Sequence, residues 1–550
     1  MTLSVLGVVL ALALFLLSTS PSLMPRPWWA QAIMSGALMV AGYLTGFVID
    51  WLARLIADWM NLTVTYDPRV SSALRIGGLA ALAVVFIALL VINYRSARRT
   101  AALVGMPAPS LARYVGSLVG AFAVTSALVF IYEAIYQVWR LVLMAAEPLR
   151  IPATVATWLA WALVAVIVLL GVEWGLIRQV VKAASRWAST RDRQTPHGVE
   201  APAVAERSAS PGSAVRWAST AREGKRYLGG APMQPRIEAL TRRAAREPVR
   251  VYSSLVAHGE NLDASVEEAM SELRRTGAFS RSVILVVVPT GSGWVDEWNV
   301  QALEYLTGGD CASVAVQYSY LPSWMTFLSY REQAAEGGYR VIDAVAAEIA
   351  RMDPAHRPRL FVTGESLGSY GAQAAFASPA ELLDRVDGAL WIGTPGFTEL
   401  LKTLTCARHR GSPQIAPVVD NARHVRFATK PADLHTDLYG RELGRWEFPR
   451  IVYVQHASDP VVWWTPDLAW KIPDWIGERA GADVSPRLRW HRLVTCIQLL
   501  CDLPLAESAP AGHGHSYHAE LVPAWRAILG LDPDEEADAA IAQAIAAHPV

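Results

Sequence analysis

Gly364, Ser366 and Gly368 alternate with Glu365 and Leu367 between a short apolar run, residues 360–362, and an Ala-rich stretch, residues 370–377. Strand, Gly-x-Ser-x-Gly, helix is the pattern that holds a nucleophilic serine on a sharp turn. The turn forces the serine into a strained backbone conformation. Glycines two before and two after it let strand and helix approach without Cβ clashes. The hydroxyl then projects at a helix N-terminus, where N–H groups and the dipole favour a developing oxyanion. The chemistry expected of Ser366 is attack on a carbonyl carbon through an acyl-enzyme.

Such a serine needs an acid, a base and two oxyanion donors, with the triad in the chain order Ser, Asp, His. An apolar strand at 450–454 delivers Asp459 directly after it, and Pro460 ends it. Asp433 and Asp437 are weaker choices, because only the short, charge-interrupted run 425–428 precedes them. The base is expected in Gly512-His-Gly-His-Ser-Tyr-His518, a flexible loop before the final helix. His515 is preferred, His513 is the alternative and His518 comes third. His-x-His can also chelate zinc, but no carboxylate or cysteine pattern completes such a site. Neither metal nor cofactor is expected. One oxyanion N–H is assigned to Leu367, and the other to Gly291 or Ser292 in the loop after the run 284–288. That loop lacks the Gly-Lys-Ser/Thr that would hold a nucleotide's phosphates.

The elements that must carry these residues alternate in the manner of a mostly parallel sheet covered by helices on both faces. Strands are expected at 249–253, 282–288, 313–317, 360–362, 388–392 and 450–454, and helices at 265–275, 294–306, 331–352, 368–377 and 521–529. The unbroken run Ile284-Leu-Val-Val-Val288 fits a central strand buried on both faces. Residues 318–328 are unusually aromatic for a connection. Tyr318, Tyr320 and Trp324, with Trp463 after Asp459, are the candidate lining of an acyl pocket.

The 550 residues carry no net charge, so nothing points to nucleic acid. Cys311, Cys406, Cys496 and Cys501 form no pair or framework and are expected to be buried thiols. Five stretches are long enough, or nearly so, to span a bilayer: residues 3–17, 29–48, 74–92, 111–131 and 155–177. The first lacks the positive start of a signal peptide. Ionisable residues such as Asp50, Arg75, Glu133 and Glu173 lie at span ends, whereas an ion pathway needs them mid-span. Gly42-x-x-x-Gly46 and Gly116-x-x-x-Gly120 suit close helix packing. Arg95, Arg98 and Arg99 after the third span, and Arg178, Lys182 and Arg186 after the fifth, predict that both flanks are cytoplasmic. The N-terminus is then outside. The expected organisation is a transmembrane helical domain at 1–180, a loose linker at 181–235, a catalytic domain at 236–531 and a dispensable acidic tail at 532–550.

Thr290-Gly-Ser-Gly-Trp-Val-Asp296, Gln317-Tyr-Ser-Tyr-Leu-Pro-Ser-Trp324, Gly364-Glu-Ser-Leu-Gly-Ser369, Gln455-His-Ala-Ser-Asp-Pro-Val-Val-Trp-Trp464 and Gly512-His-Gly-His515 resemble bacterial membrane-anchored α/β-hydrolases, best known from actinobacteria. The likeness extends to Ser20-Pro-Ser-Leu-Met-Pro-Arg-Pro-Trp28. It implies a transmembrane helical bundle followed by an α/β-hydrolase fold, in a bacterial cell membrane, with a Ser366/Asp459/His mechanism. The expected function is hydrolysis of an ester or thioester, the partners being a lipid or acyl-ester substrate and the bilayer. An acyltransferase with the same triad and a non-catalytic membrane scaffold are the alternatives.

Overall fold

The computed structural model describes residues 4–61, 68–146, 148, 152–171, 173, 175, 178–321, 326, 331–478 and 481–548. The chain forms two compact units. One comprises Met1–Lys182, Pro466–Ile472 and Ala482–Leu505; the other comprises Ala183–Thr465, Pro473–Gly481 and Ala506–Val550.

The first unit is built on helices α1 (Val5–Ser18), α2 (Trp28–Trp59), α3 (Pro68–Leu103), α4 (Leu111–Ala146) and α5 (Ala153–Leu170). Trp28–Trp59, Ala80–Leu103, Leu111–Ala146 and Ala153–Leu170 are long and apolar enough to cross a membrane. Their surfaces expose Phe130, Trp158 and Leu169 by 76%, 76% and 67%, a distribution compatible with a lipid-facing bundle. The first expected span differs. α1 has 14 residues, about 21 Å of helix against a hydrocarbon core of about 30 Å. Ser4 caps its start, and Thr19 and Ser20 turn back onto the Leu16 and Leu17 carbonyls at its end.

α1 packs on α2 through glycine. A Cβ on Gly42 would lie 2.5 Å from the Leu10 carbonyl oxygen, and one on Gly46 would lie 2.6 Å from Gly7 Cα. The second small-residue motif is only half used. A Cβ on Gly120 would lie 2.8 Å from Ala32 Cβ, whereas one on Gly116 would meet nothing within 4 Å among the described residues outside its own stretch of helix. A late segment completes this unit: in α12 (Val494–Asp502), Val494 is buried against Met34 and Leu38.

The second unit holds seven parallel strands in the order β1-β3-β2-β4-β5-β7-β6. These are β1 (Val249–Ser253), β2 (Val283–Val288), β3 (Cys311–Val316), β4 (Arg359–Glu365), β5 (Gly388–Ile392), β6 (Val425–Ala428) and β7 (Arg450–Val454). β2 shows why the sequence demands cover on both faces. Ile284, Val286 and Val288 enter one hydrophobic core, and Val283, Leu285 and Val287 enter the other. Helices α8 (Leu262–Arg275), α10 (Arg331–Ala350) and α11 (Leu367–Gln373) contribute to the first core; α9 (Glu297–Leu306), α13 (Leu521–Leu529) and α14 (Glu535–Ala546) contribute to the second. β6, the run interrupted by Arg426, is an edge strand paired to β7 alone.

The segment read as a linker and the acidic tail both bury side chains. Helix α6 (Arg178–Asp192) leads into a connection in which Arg207 bridges to β1 and pairs with Glu247 at 2.5 Å. There α7 (Arg222–Gly229) buries Tyr227 and Leu228. In the acidic tail, Ile541 and Ile545 are 5% and 3% exposed. Both segments bury isolated apolar residues too sparse to register as periodicity. All four cysteines are free, but only Cys311 is buried; Cys406 is exposed and the other two are half-buried.

Candidate active site

The C-terminal ends of four adjacent strands, β2, β4, β5 and β7, carry the candidate residues. In β4 and β5, Glu365 stands opposite Ile392, and Ile392 stands opposite Val454 of β7. The loops that follow therefore begin at one level. A parallel sheet delivers side chains to one edge in this way, and ligands bind there.

Ser366 has φ 54° and ψ −123°, a conformation L-residues rarely adopt and the strain that the elbow requires. Its N–H donates to the Ile392 carbonyl at 2.9 Å, and its side chain is half-buried at the start of α11. Both flanking glycines are needed. A Cβ on Gly364 would lie 2.4 Å from the Gly368 carbonyl carbon, and one on Gly368 would lie 2.2 Å from the Val288 carbonyl oxygen. The elbow thus presses on the end of β2, where the Gly-rich loop begins.

That loop is clamped from behind. Tyr252 Oη donates to the Gly293 carbonyl at 2.9 Å, and Gln317 Nε2 donates to the Ser292 carbonyl at 3.4 Å. Gln317 Nε2 also reaches the Asp192 carboxylate at 3.3 Å. Burial raises the Asp192 carboxyl to about 6, against the hydrogen bond from Gln317. Among the described residues the N–H groups of Leu367, Gly291 and Ser292 donate to no acceptor. They remain available as donors.

Asp459 follows β7 and is fully buried. Its Oδ2 accepts from His515 Nδ1 at 2.6 Å and from Tyr517 Oη at 2.7 Å, while Oδ1 accepts the Val461 N–H at 2.8 Å. Three donors leave the carboxylate one orientation. Burial by itself would depress the His515 imidazole, but the charge and hydrogen bond of Asp459 outweigh it and hold the pKa above 6.5. The other ring nitrogen, Nε2, is buried without a hydrogen-bond partner and lies 3.9 Å from Glu365 Oε1. A base with its outer nitrogen free and its inner nitrogen held by a carboxylate is oriented to take a proton. His513 instead forms a short antiparallel bridge to Ser516. His518 packs edge-on against Trp298. Asp433 caps the Thr429 and Lys430 N–H groups, and Asp437 pairs with Arg441.

Further residues shape the site without having been singled out in the sequence. Gly393, at φ +52°, underlies the His515 ring, and a Cβ there would lie 2.4 Å from Cε1. His456 Nδ1 faces the Gly514 carbonyl at 2.9 Å and its Nε2 faces Glu520 at 3.1 Å. Acceptors face both nitrogens, an arrangement that favours the imidazolium form. Burial opposes that charge, but Glu520 and the Gly514 carbonyl outweigh it and raise the pKa. The ring stacks on Tyr517 at 4.2 Å, and Ser458 Oγ accepts the Gly514 N–H at 2.9 Å. Together they fix the turn that carries His515. His456 and Ser458 sit in the Gln455–Asp459 motif, and that proximity to Asp459 was the available signal. Glu365 is buried with Oε2 unpartnered. Burial, reinforced by Asp296, Glu507 and Asp459, pushes its carboxyl well above the ordinary range.

The candidate pocket residues are less unified. Trp463 is 5% exposed and spends its indole N–H on the His456 carbonyl, so it supports the turn rather than lining a pocket. Tyr318 and Tyr320 line a cleft of about 350 Å³ whose walls include neither Ser366 nor His515. Trp324 lies outside the described residues.

Comparison with curated proteins and with solved structures finds no match. Family models do match: residues 19–232 fit the N-terminus of an alpha/beta-hydrolase family, and residues 249–542 fit its hydrolase part. With a seven-stranded parallel sheet covered on both faces and a serine on the turn after β4, the chain belongs to the alpha/beta-hydrolase family.

Proposed function

We propose that the chain is a membrane-embedded serine hydrolase that cleaves an acyl ester or thioester. Ser366 attacks the carbonyl carbon as His515 Nε2 takes its proton. Asp459 keeps the imidazole in the right tautomer and stabilises the imidazolium. The N–H groups of Leu367 and of Gly291 or Ser292 receive the oxyanion. His515 then protonates the leaving alcohol or thiol, and water, activated by the same base, hydrolyses the acyl-enzyme. Two observations support this reading: the strained Ser366 on the turn after β4, and the buried His515–Asp459 pair, whose Nε2 lies without a hydrogen bond 3.9 Å from the carboxyl of Glu365, the residue before Ser366.

The acyl group is drawn from the membrane. A lipid ester is already concentrated there, and each CH₂ buried contributes roughly 0.8 kcal/mol. The basic residues Arg95–Arg99 and Arg178–Arg193 are separated by two long helices, α4 and α5, so they share a side whether or not α1 spans. By the positive-inside tendency that side is the cytoplasm of a bacterial cell, and the catalytic unit lies there. With α1 too short to span, the N-terminus joins it. A chain-length series of p-nitrophenyl esters tests the substrate class: kcat/KM rises from acetate to octanoate. Faster turnover of acetate than of octanoate overturns it.

A further inference from the structure

Within the unit of the N-terminal helices, the late segments Pro466–Ile472 and Ala482–Leu505 carry apolar and basic side chains that the proposed chemistry does not use. Trp470, Ile472 and Leu493 are 59%, 55% and 46% exposed. Two hydrogen bonds lay the segments side by side: the Leu493 N–H donates to the Ala469 carbonyl at 3.0 Å, and the Trp490 indole N–H donates to the Leu468 carbonyl at 2.9 Å. Leu493 has φ +63° and ψ −47°, a conformation that an L-residue keeps only where its surroundings impose it. The Ala469 carbonyl holds one side of it, and the next residue, Val494, is buried on the other. The strain turns a leucine outward, and in water an exposed leucine gains nothing.

The same unit fixes the level at which this patch lies. Asn93 follows the apolar run of α3, residues 74–92, and Arg95, Arg98 and Arg99 come after it. Its Nδ2 donates to the Leu16 carbonyl at 3.1 Å and to Thr19 Oγ1 at 2.8 Å, and Ser18 Oγ meets Ser35 Oγ of α2 at 2.7 Å. Ser18, Ser35 and Asn93 thus mark one end of the apolar band. From there α2 runs inward along α1, with Gly42 on Leu10 and Gly46 on Gly7. Val494 is buried against Met34 and Leu38, residues within about 5 Å of Ser35 along the helix. α12 then climbs out of the band. Gln498 Nε2 donates to the Ser18 and Ser20 carbonyls at 3.3 and 3.2 Å, and Asp502 pairs at 2.5 Å with Arg26, which precedes α2. Leu493, with Trp470 and Ile472 beside it, is therefore at the border of the apolar band, on its basic flank.

The neighbouring positions are basic: Lys471 between Trp470 and Ile472, Arg492 before Leu493, Arg489 before Trp490, and Arg487. All four are exposed. Arg489 donates to the Pro486 and Leu488 carbonyls. Acids next along the chain are engaged elsewhere, Asp502 by Arg26 and Asp474 and Glu478 by Arg408. Among the described residues no carboxylate pairs with any of the four cations. Asp467 and Asp483, in the same segments, offset half of the charge. Aromatic and aliphatic side chains interleaved with unpaired cations, at the end of an apolar band, suit a membrane interface with headgroup phosphates as counterions.

We propose that Trp470, Ile472 and Leu493 enter the lipid leaflet on the basic flank of α3, and that Lys471, Arg487, Arg489 and Arg492 bind the headgroups of anionic lipids there. The inference rests on the membrane reading of α2–α5, because the patch continues the apolar surface of those helices. The chain then holds its membrane by a surface contact as well as by spans, and that contact responds to lipid charge.

The test uses the full chain in two kinds of vesicle, phosphatidylcholine alone and phosphatidylcholine with about one phosphatidylglycerol in three lipids. Both carry a phosphatidylcholine with a diazirine in the upper part of one acyl chain, and the adducts formed on illumination are located by peptide mass spectrometry. Phe130 and Leu169, exposed on α4 and α5, are the lipid controls, and the exposed Tyr439 of the sheet's unit is the water control. Expected are adducts on the peptides bearing Trp470–Ile472 and Leu493 and none on that bearing Tyr439. Phosphatidylglycerol raises the patch adducts about threefold or more and leaves those of Phe130 and Leu169 unchanged. The triple variant Arg487→Gln, Arg489→Gln, Arg492→Gln, exchanged at exposed positions only, loses that rise. Adducts on Phe130 and Leu169 with none on the patch overturn the proposal. So does a patch signal indifferent to phosphatidylglycerol, or a rise that survives in the triple variant. Adducts on neither the helices nor the patch refute the membrane reading itself, and this inference with it.

Discussion

Gly393→Ala puts the placement of the base under direct stress. The new Cβ would stand 2.4 Å from His515 Cε1 and 2.8 Å from Nδ1, where ordinary contact begins near 3.4 Å. The ring must retreat by about 1 Å, and it is hemmed in by Tyr517 on one side and by the 2.6 Å bond to Asp459. A displacement of that size at a reacting group costs on the order of a hundredfold in rate, or about 2.7 kcal/mol of transition-state stabilisation. Folding suffers less. An alanine at φ +52° costs roughly 1–2 kcal/mol, which lowers the unfolding midpoint by only a few degrees, about 2–4 °C per kcal/mol for a domain of this size. Hydrolysis of p-nitrophenyl octanoate should therefore fall about a hundredfold in kcat, with KM within a factor of about three, in protein that still unfolds cooperatively. Activity within threefold of wild type would mean that the imidazole does not rest on Gly393 during turnover, and the geometry derived for the base would be wrong.

Other outcomes follow from the same geometry. His515→Ala should lower kcat by several orders of magnitude, whereas His513→Ala should be mild because that residue shapes a turn; the reverse ranking moves the base to His513. Since the base works only when neutral and its pKa is held above 6.5, kcat/KM should rise with pH through a midpoint above 6.5. A midpoint well below it would contradict the Asp459 pairing. Burial pushes the Glu365 carboxyl up toward its neutral form, so Glu365→Gln, which keeps the shape of that form, should retain activity at pH 7 within about threefold. A hundredfold loss would show that the ionised carboxylate takes part.

Much of this site was legible because parallel strands impose an order on their loops. Ser366 after one apolar run and Asp459 after another had to arrive at the same edge of the sheet, and the histidine turn before α13 was the remaining source of a candidate base. Local arrangements that depend on shape were less legible. Nothing in the spacing of His456 and Glu520 announces a buried ion pair under Tyr517. Gly393 reads as an ordinary strand end until a ring is seen to lie on it. Trp463 looks like pocket lining by composition, yet its indole N–H is spent on a carbonyl. Residues 189–235 lack periodicity because they dock through single side chains, Tyr227 and Leu228 among them, rather than along a face. The pairing of Arg26 with Asp502, 476 residues apart, lies beyond any pattern of neighbours.

The central claim is that Ser366 is a nucleophile activated by His515 and Asp459. Its most direct test is to expose the full chain in vesicles to a fluorophosphonate and to locate the adduct by peptide mass spectrometry. The prediction is a single stoichiometric adduct on the peptide bearing Ser366, absent in Ser366→Ala and slowed at least a hundredfold in both His515→Ala and Asp459→Asn. An adduct on another residue, or labelling of Ser366 that proceeds equally well without His515 and Asp459, would contradict it.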